Sequence, residues 1–424
     1  MNFGDFVRAQ HEAGRLVVQP RMGFHDPDRM RKGLAATRNA AATTVGTITL
    51  DSYTRVGDLE SVDRALRAGI GLNGYPIVSY DEQVTRSVLQ GIEGEDFPVQ
   101  VRHGSARPLD IFKALAKVGL HATEGGPVSY CLPYGRTPLD ESVRNWVRCC
   151  KLALRIRDSG VEPHLETFGG CMMGQLCPPS LLVAISALEG LFFYRQGVRS
   201  ISVSYAQQVS MEQDQDAVDA LRRLCAELLP QADWHVVVYA YMGLFPKSPA
   251  GSRDLLTNAV ELAVTTGAER LIVKTVAESH RIPDIAENIE ALDHAGAADR
   301  SLRPADRADS GGGQVYEEAY ALVEAVLNCA ADVGRALVVA FKRGLLDVPY
   351  CLHPDNAGRS RSYIDAEGKL RWAELGSLPL SHVVKSGRRN SITSANLMEA
   401  LSFVQRTYDS GALEYPADRR GELC

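Results

Sequence analysis

The feature that most constrains the fold of this chain is a regular alternation of short apolar runs with longer amphipathic stretches. The apolar runs have the length of buried strands, and they are Leu16–Gln19, Val45–Leu50, Val99–Val101, Pro163–Thr167, Ser200–Ser204, His235–Tyr239 and Leu271–Lys274. The stretches with helical periodicity are Pro108–Val118, Glu141–Arg157, Pro179–Gln196, Gln213–Leu229 and Ser252–Thr266. Strands that alternate with helices in this way predict a parallel sheet covered by helices.

Two weaker runs, Tyr75–Ser79 and Leu120–Thr123, bring the candidate strands to one more than a closed eight-stranded barrel holds. We exclude Tyr75–Ser79, because its NGYP start is typical of a turn. An open doubly wound sheet is the rival architecture, but no GxGxxG follows the first strand. We therefore predict a TIM (β/α)8 barrel.

The barrel is predicted to occupy residues 1–335, and residues 336–424 are predicted to form a small, irregular C-terminal appendage. The last helix of the barrel domain is expected around Val315–Val333. The polar stretch Ala295–Gln314, which contains three consecutive glycines, is expected to be a flexible loop.

Composition excludes several classes of protein. The net charge of −6 lies along the chain without a basic stripe, which argues against nucleic-acid binding. No run of 18 apolar residues predicts a membrane span, and the N-terminus lacks a signal-peptide core, so we expect a cytoplasmic protein. The nine cysteines form no CxxC pair or close triplet, and the ten histidines do not gather at ligand spacings. We therefore expect reduced thiols and no metal site.

Charged side chains follow five of the predicted strands, and the carboxyl ends of barrel strands form one mouth. They are Arg21, Arg55, Arg102 with His103, Glu124 and Lys274. A guanidinium matches a carboxylate in a bidentate way, so three arginines suit a dicarboxylate, and one acid suits an ammonium group on the same ligand. Taken singly, each arginine is more often a surface or salt-bridge residue, and His103 more often a structural one. Together they predict a site for an amino dicarboxylate such as glutamate or aspartate.

The segments that carry these residues resemble the large, epsilon subunit of glutamate mutase (methylaspartate mutase). The similar segments follow one another along nearly the whole chain, and they are VVQPRMG, LDSYTR, LNGYP, VQVRHG, TEGGPVSYCLPY, PPS, MGLFP, IVKTVAESHRIP and LLDVPY. Each segment is weak alone, but nine in the same order are specific.

The resemblance implies roles for individual residues. Arg21, Arg55 and Arg102 would hold the two substrate carboxylates, and Glu124 would face the substrate ammonium. Further substrate contacts would come from His103, Tyr130 and Tyr134. Contacts to cobalamin or its adenosyl group would come from Gly23, Asn73, Pro133, Phe245, Lys274, Glu278 and Ile282. The catalytic group would comprise Glu124, Arg102, Lys274 and Glu278.

The resemblance also implies a reaction and partners. The expected reaction is the adenosylcobalamin-dependent interconversion of L-glutamate and L-threo-3-methylaspartate by a radical mechanism. Cobalamin would be gripped mainly by a small partner subunit with a DxHxxG motif, within a heterotetramer that contains a homodimer of this chain. The nearest string in this chain, DWHVVV from Asp233, lacks the glycine and is predicted to be a buried strand.

The sequence departs from the family pattern in a few places. The region before LVVQP is shorter, ETFGGCMMGQLCPPS matches loosely, Leu165 stands where the family has a charged residue, and the segment after Ile282 diverges. Two other classes stay open on the residues alone. One is a cobalamin-independent barrel enzyme, such as a lyase or aldolase, acting on another amino dicarboxylate. The other is a non-catalytic homologue that binds glutamate.

Overall fold

A computed structural model describes residues 2–133, 135–158, 160–172, 176–302, 311–384 and 393–414 of the chain. Its centre is a parallel sheet of eight strands in the order β1-β8-β7-β6-β5-β4-β3-β2. The strands are β1 (Val17–Gln19), β2 (Gly46–Thr49), β3 (Val99–Arg102), β4 (Ala122–Glu124), β5 (His164–Glu166), β6 (Ser200–Ala206), β7 (Asp233–Tyr239) and β8 (Arg270–Ile272).

The sheet closes between its first and last strands in that order. The amide of Val18 donates to the carbonyl of Thr43 at 2.8 Å, and the amide of Thr49 donates to the carbonyl of Met22 at 2.8 Å. The predicted (β/α)8 barrel is confirmed. Tyr75 makes an isolated bridge with Leu50 and belongs to no strand, so its exclusion was correct.

The helices that surround and extend the barrel begin and end as follows: α1 (Phe3–Glu12), α2 (Pro27–Arg38), α3 (Ser52–Val56), α4 (Leu59–Arg67), α5 (Glu82–Leu89), α6 (Leu109–Val118), α7 (Leu139–Arg157), α8 (Pro179–Arg195), α9 (Met211–Leu228), α10 (Pro249–Thr265), α11 (Ile285–Ser301), α12 (Gly313–Leu327), α13 (Val333–Arg343), α14 (Ser394–Leu401) and α15 (Phe403–Glu414). Two short 3₁₀ turns, Gly169–Cys171 and Val276–Ser279, follow β5 and β8. Among the residues described, no helix has the length and apolar character needed to cross a bilayer.

After residue 295 the structure differs from the prediction in where the helices lie and end. The stretch Ala295–Gln314 is not a loop at its start, because α11 continues to Ser301 from a capping box formed by Asp284 and Glu287. Residues 303–310 lie outside the described part of the chain. The helix expected around Val315–Val333 is α12, which ends at Leu327, and a separate helix, α13, begins at Val333 where the Asp332 carboxylate accepts from the amide of Arg335.

The C-terminal region packs on the barrel and reaches its mouth. Helix α13 spans the predicted boundary at residue 335 and packs against α7, α8 and α12, so the division into two domains stays a prediction. Beyond it, β9 (Arg361–Ile364) and β10 (Leu370–Glu374) form an antiparallel hairpin, and α15 packs against α10. The Asp355 carboxylate accepts from the amide of Leu139 at 2.7 Å, which ties this region to the end of the loop after β4.

The barrel interior just below the mouth is polar. Gln19 donates to Gln100 at 2.9 Å, and Gln100 donates to Glu166 at 3.1 Å. Arg270 forms an ion pair with Glu166, and both side chains are fully buried. Burial opposes the charge of Glu166, but Arg270 and a hydrogen bond from Tyr239 bring the pKa of that carboxyl below its ordinary value. Buried charges persist only when they are paired and hydrogen-bonded, so this network forms a rigid polar floor.

Candidate active site at the carboxyl ends of the strands

The predicted site residues lie at one mouth of the barrel, as their sequence positions require. Arg102 and Glu124 are the last residues of β3 and β4, Arg55 lies in α3 directly after β2, and Arg21 and Lys274 follow β1 and β8 by two residues. Parallel strands present their carboxyl ends on the same side of a barrel, so these side chains share one opening.

Glu124 is the centre of the site, and its carboxylate is 2% exposed. Arg102 Nε donates to its Oε2 at 2.7 Å, the Tyr239 hydroxyl donates to the same oxygen at 2.8 Å, and the Tyr130 hydroxyl donates to Oε1. Burial disfavours the charge of Arg102, yet the Glu124 carboxylate raises the pKa of that guanidinium well above its ordinary value. A carboxylate offers about four acceptor positions, so three donors leave one open for a ligand.

A second layer links Glu124 to the polar floor. The Tyr239 hydroxyl lies within hydrogen-bond distance of both Glu124 Oε2 and Glu166 Oε1, which belong to paired residues of β4 and β5, and its single proton is shared between the two carboxylates. The Arg102 guanidinium lies 5.0 Å from the centre of the Tyr239 ring. The tyrosine therefore fixes the two carboxylates relative to each other and supports the arginine.

Arg55 is positioned for an anion. Its Nε donates to the carbonyl of Leu50 at 2.9 Å, and among the described residues no carboxylate lies within ion-pair distance of it. Burial lowers the pKa of Arg55, and the positive charges of Arg21 and Arg102 lower it further, against Tyr130 and Glu124. The charges of Arg21 and Arg102 thus reach Arg55 at the mouth, and Arg55 is the one of the three without a carboxylate partner among the described residues.

Arg21 is paired with a different acid. Its Nη1 donates to Glu278 Oε2 at 2.9 Å, and the Lys274 ammonium lies 3.7 Å from the same oxygen. The ammonium is also 4.7 Å from the centre of the Phe245 ring. Burial lowers the pKa of Lys274 to about 8, with Arg21 adding to the effect of burial and Glu278 opposing it.

His103 is neutral and offers one free donor. Its Nδ1 accepts from the amide of Ser105 at 3.0 Å, which leaves the proton on Nε2. Burial, together with the charge of Arg55, lowers the pKa of His103 to about 3. Its ring lies 5.2 Å from that of Tyr130. Buried Nε2 makes no hydrogen bond of normal geometry within the described part of the chain, although the backbone carbonyl of Glu124 is near enough to oppose the lowering of the His103 pKa. Such an unpaired buried donor suits a contact with a bound ligand.

The loop after β4, which carries Tyr130, is held by a buried acid on α8. Glu189 accepts from the amides of Val128 and Ser129 at 3.0 and 2.9 Å and from the Ser129 hydroxyl at 2.9 Å. Burial raises the pKa of Glu189 to about 7, against these hydrogen bonds. A side chain at Gly126 would collide with the Glu189 carboxylate, so the glycine permits this close approach.

Several of the residues predicted to contact the cofactor have structural roles as well. A Cβ on Gly23 would lie 2.1 Å from the carbonyl oxygen of Thr49, so the backbone itself requires glycine there. Asn73 Oδ1 accepts from the amide of Ser52 at 2.9 Å at the start of α3. Pro133 is half-buried at the end of the loop after β4, and Tyr134 lies outside the described residues. These contacts alone explain why glycine stands at position 23 and asparagine at position 73. The roles of Gly23 and Asn73 in cofactor binding therefore stay predictions.

The mouth carries an apolar rim, which we define as the large exposed hydrophobic residues of the segments after β2, β7 and β8. These are Tyr53, Val56, Ile70, Leu244 and Ile282. Ile282 is 57% exposed and Val56 is 62% exposed, which leaves apolar surface for a ligand or a partner to cover.

Glu166 and Tyr239 were missed by the sequence analysis. Each is the last residue of its strand, within an apolar run rather than after it. The charged residues taken as site candidates mostly follow a run, whereas Glu166 is the last but one residue of Pro163–Thr167 and Tyr239 is the last residue of His235–Tyr239. A polar side chain within the last two positions of a predicted strand is therefore also a site candidate, because that end of the strand lies at the mouth.

Comparison with known proteins identifies the family. The sequence model for the methylaspartate mutase E chain matches residues 1–403. A glutamate mutase epsilon subunit of Escherichia coli O157:H7 is 29% identical over 384 residues, which cover 87% of this chain and 79% of that protein. One of Halobacterium salinarum is 29% identical over 395 residues, which cover 90% of this chain and 82% of that protein.

Among solved structures, a truncated 3-deoxy-D-arabino-heptulosonate 7-phosphate synthase from Thermotoga maritima has a TM-score of 0.38 and 11% identity, over 68% of this chain and 86% of that one. A likeness at that level supports no argument about function, so the family assignment depends on sequence. The predicted resemblance is confirmed by the match along nearly the whole chain. The chain belongs to the methylaspartate mutase E chain family, which comprises the epsilon subunits of glutamate mutase.

Proposed function

We propose that this chain is the catalytic subunit of an adenosylcobalamin-dependent mutase that interconverts L-glutamate and L-threo-3-methylaspartate. The observation that carries the proposal is the group of three arginines around Glu124, of which Arg55 has no carboxylate partner among the described residues. The family membership of the chain agrees with that substrate.

The charges at the mouth suit an amino dicarboxylate. Arg55 and the Nε2–H of His103 can bind one carboxylate, and the open acceptor position of Glu124 can take the ammonium group. Arg21 would bind the second carboxylate from the end of the neighbouring strand, β1. Two anchored carboxylates keep the substrate oriented while its carbon skeleton rearranges between them.

The chain's residues also fit the adenosyl group of the cofactor. Lys274 and Glu278 offer a donor and an acceptor for ribose hydroxyls, beside the buried ring of Phe245. The exposed side chains of Leu244 and Ile282 offer apolar surface to a flat macrocycle. When bound, adenosylcobalamin supplies homolytic radical chemistry, and the protein supplies binding and orientation. Arg102, His103 and Glu124 are each at most 4% exposed, so these three side chains are already shielded from water.

We further propose that a separate small subunit with a DxHxxG motif grips the cobalamin and covers the apolar rim. The only DxH string of this chain begins at Asp233, and its His235 is buried in β7, stacked 5.3 Å from the ring of His164. Burial and the nearby Arg270 lower the pKa of His235 well below its ordinary value, but its position inside the barrel wall keeps it from a ligand at the mouth. We therefore expect the histidine that grips cobalamin to come from the small subunit.

The proposal is tested by retention of adenosylcobalamin on a desalting column. We expect little retention by this chain alone and strong retention after the small subunit is added. An Arg55→Lys variant should retain the cofactor equally well in the complex but convert glutamate at least tenfold more slowly, because a lysine cannot form two parallel hydrogen bonds to a carboxylate. Tight cobalamin binding by the lone chain, or normal turnover by the variant, would contradict the proposal.

A further inference from the structure

One carboxylate oxygen of Glu278 connects Arg21, which is proposed to bind the substrate, with Lys274, which is proposed to face the adenosyl group. Its Oε2 accepts from Arg21 at 2.9 Å and lies 3.7 Å from the Lys274 ammonium. Arg21 follows β1 and Lys274 follows β8, and these two strands are paired neighbours in the barrel. The other oxygen, Oε1, lies 3.4 Å from the amide of Thr275, within the 3₁₀ turn that carries the acid.

This arrangement creates competition at Arg21. A substrate carboxylate that approaches the guanidinium meets a carboxylate already there, and one N–H donor is already in use. The Arg21 side chain is 31% exposed and the Glu278 side chain 13%, so the pair can be reached from the mouth. Bidentate recognition of a carboxylate needs two free donors on one edge of the fork, so Glu278 closes the edge formed by Nη1 and Nη2, and its negative charge opposes a second carboxylate at the other edge.

We propose that Glu278 is a placeholder that a substrate carboxylate displaces from Arg21, and that Glu278 then moves fully onto Lys274. This inference rests on the proposed function, because it takes glutamate as the ligand of Arg21. The exchange links arrival of substrate to the residue pair that would face the adenosyl group.

The geometry makes the exchange a small movement. A charge-assisted N–H···O contact is about 2.7–2.9 Å long, so the 3.7 Å contact with Lys274 closes by about 1 Å. The lysine stem is flexible, and its ammonium already lies against the Phe245 ring in a buried position. A bound carboxylate would also neutralise the charge of Arg21, which now lowers the pKa of Lys274, so the ammonium becomes a stronger partner as Glu278 arrives.

The test is a double-mutant cycle on glutamate affinity, measured by titration calorimetry of the full chain without cofactor. Glu278→Gln removes the competing charge, so glutamate should bind about fivefold more tightly. That factor equals about 1 kcal/mol at 1.4 kcal/mol per factor of ten. Lys274→Met keeps the apolar stem but removes the second partner of Glu278, so glutamate should bind several-fold more weakly. In the double variant the lysine change should have little further effect, since no acid remains to be relocated.

Glu212→Gln is the matched control, because it removes an exposed acid that pairs with Lys369 at the turn of the C-terminal hairpin, and it should leave the affinity unchanged. If the effects of the two site variants simply add, they act as independent charges and the exchange is overturned while the glutamate pocket stands. If wild type shows no glutamate binding at millimolar concentration, the proposed function itself is overturned.

Discussion

Replacing Glu124 with glutamine should damage both the stability and the activity of the protein. The carboxylate accepts three hydrogen bonds, from Arg102, Tyr130 and Tyr239, at a position that is 2% exposed. Glutamine leaves the buried Arg102 without its counter-charge, and removing one partner of a buried ion pair costs about 3–5 kcal/mol. The amide nitrogen cannot accept, so one of the three donors also loses its partner.

The predicted magnitudes follow from these losses. Thermal unfolding should shift down by about 5 °C or more. Loss of a charged contact to the substrate ammonium should lower kcat/KM by about ten- to hundredfold, since such a bond contributes about 1.5–3 kcal/mol. The assay is steady-state formation of 3-methylaspartate with saturating small subunit and cobalamin, well below the melting temperature. Gel filtration should show normal assembly.

Glu141→Gln is the control for this change. Glu141 is an exposed acid that pairs with Arg107 at 3.4 Å, so the same substitution there should alter neither melting nor turnover. Equal melting temperatures and equal kcat/KM for wild type and Glu124→Gln would show that Glu124 contributes neither to stability nor to substrate binding. The substrate pocket would then lie elsewhere.

Three further variants probe the neighbours of Glu124. Arg102→Lys keeps the charge but loses the planar fork, so kcat/KM should fall at least tenfold, and normal kinetics would exclude it as a substrate ligand. Tyr239→Phe removes the hydroxyl shared by Glu124 and Glu166, so both the melting temperature and kcat should fall, whereas an unchanged kcat would limit the tyrosine to a packing role. Glu189→Gln should loosen the loop after β4 and raise KM at pH 8, where the native acid is charged. Because burial raises the folded pKa of Glu189 from 4.5 to about 7, the stability of wild type relative to this variant should decline as pH rises from 4.5 to 7, and urea titrations across that range would show it.

The barrel could be predicted from sequence because its pattern is local. Each strand is a short buried run such as SISVSYA in β6, and each is bounded by turns or helical periodicity. The residues that follow the strands could be predicted for the same reason, since topology alone gathers them at one mouth. Arg102 and Glu124 therefore needed no knowledge of long-range packing to be found.

The pairing within the site could not be predicted in this way. The contact of Arg21 with Glu278 joins residues far apart in sequence, and its existence depends on how β1 and β8 meet. Helix α13 begins at Val333 because the Asp332 carboxylate accepts from the amide of Arg335, and a capping bond of this kind leaves no mark in the apolar periodicity that predicts helices. Glu189 lies on a helix that is buried nearly all round, so no periodicity marks its carboxylate as the anchor of the loop after β4.

The most direct measurement of the central claim is reconstitution of the reaction from purified components. This chain, a small subunit with a DxHxxG motif and adenosylcobalamin are mixed with L-glutamate, and the carbon skeleton of the product is followed by ¹³C NMR. We expect 3-methylaspartate from the complete mixture and none when any one component is omitted. If the complex assembles and retains cobalamin but the complete mixture forms no 3-methylaspartate, the proposed reaction is wrong.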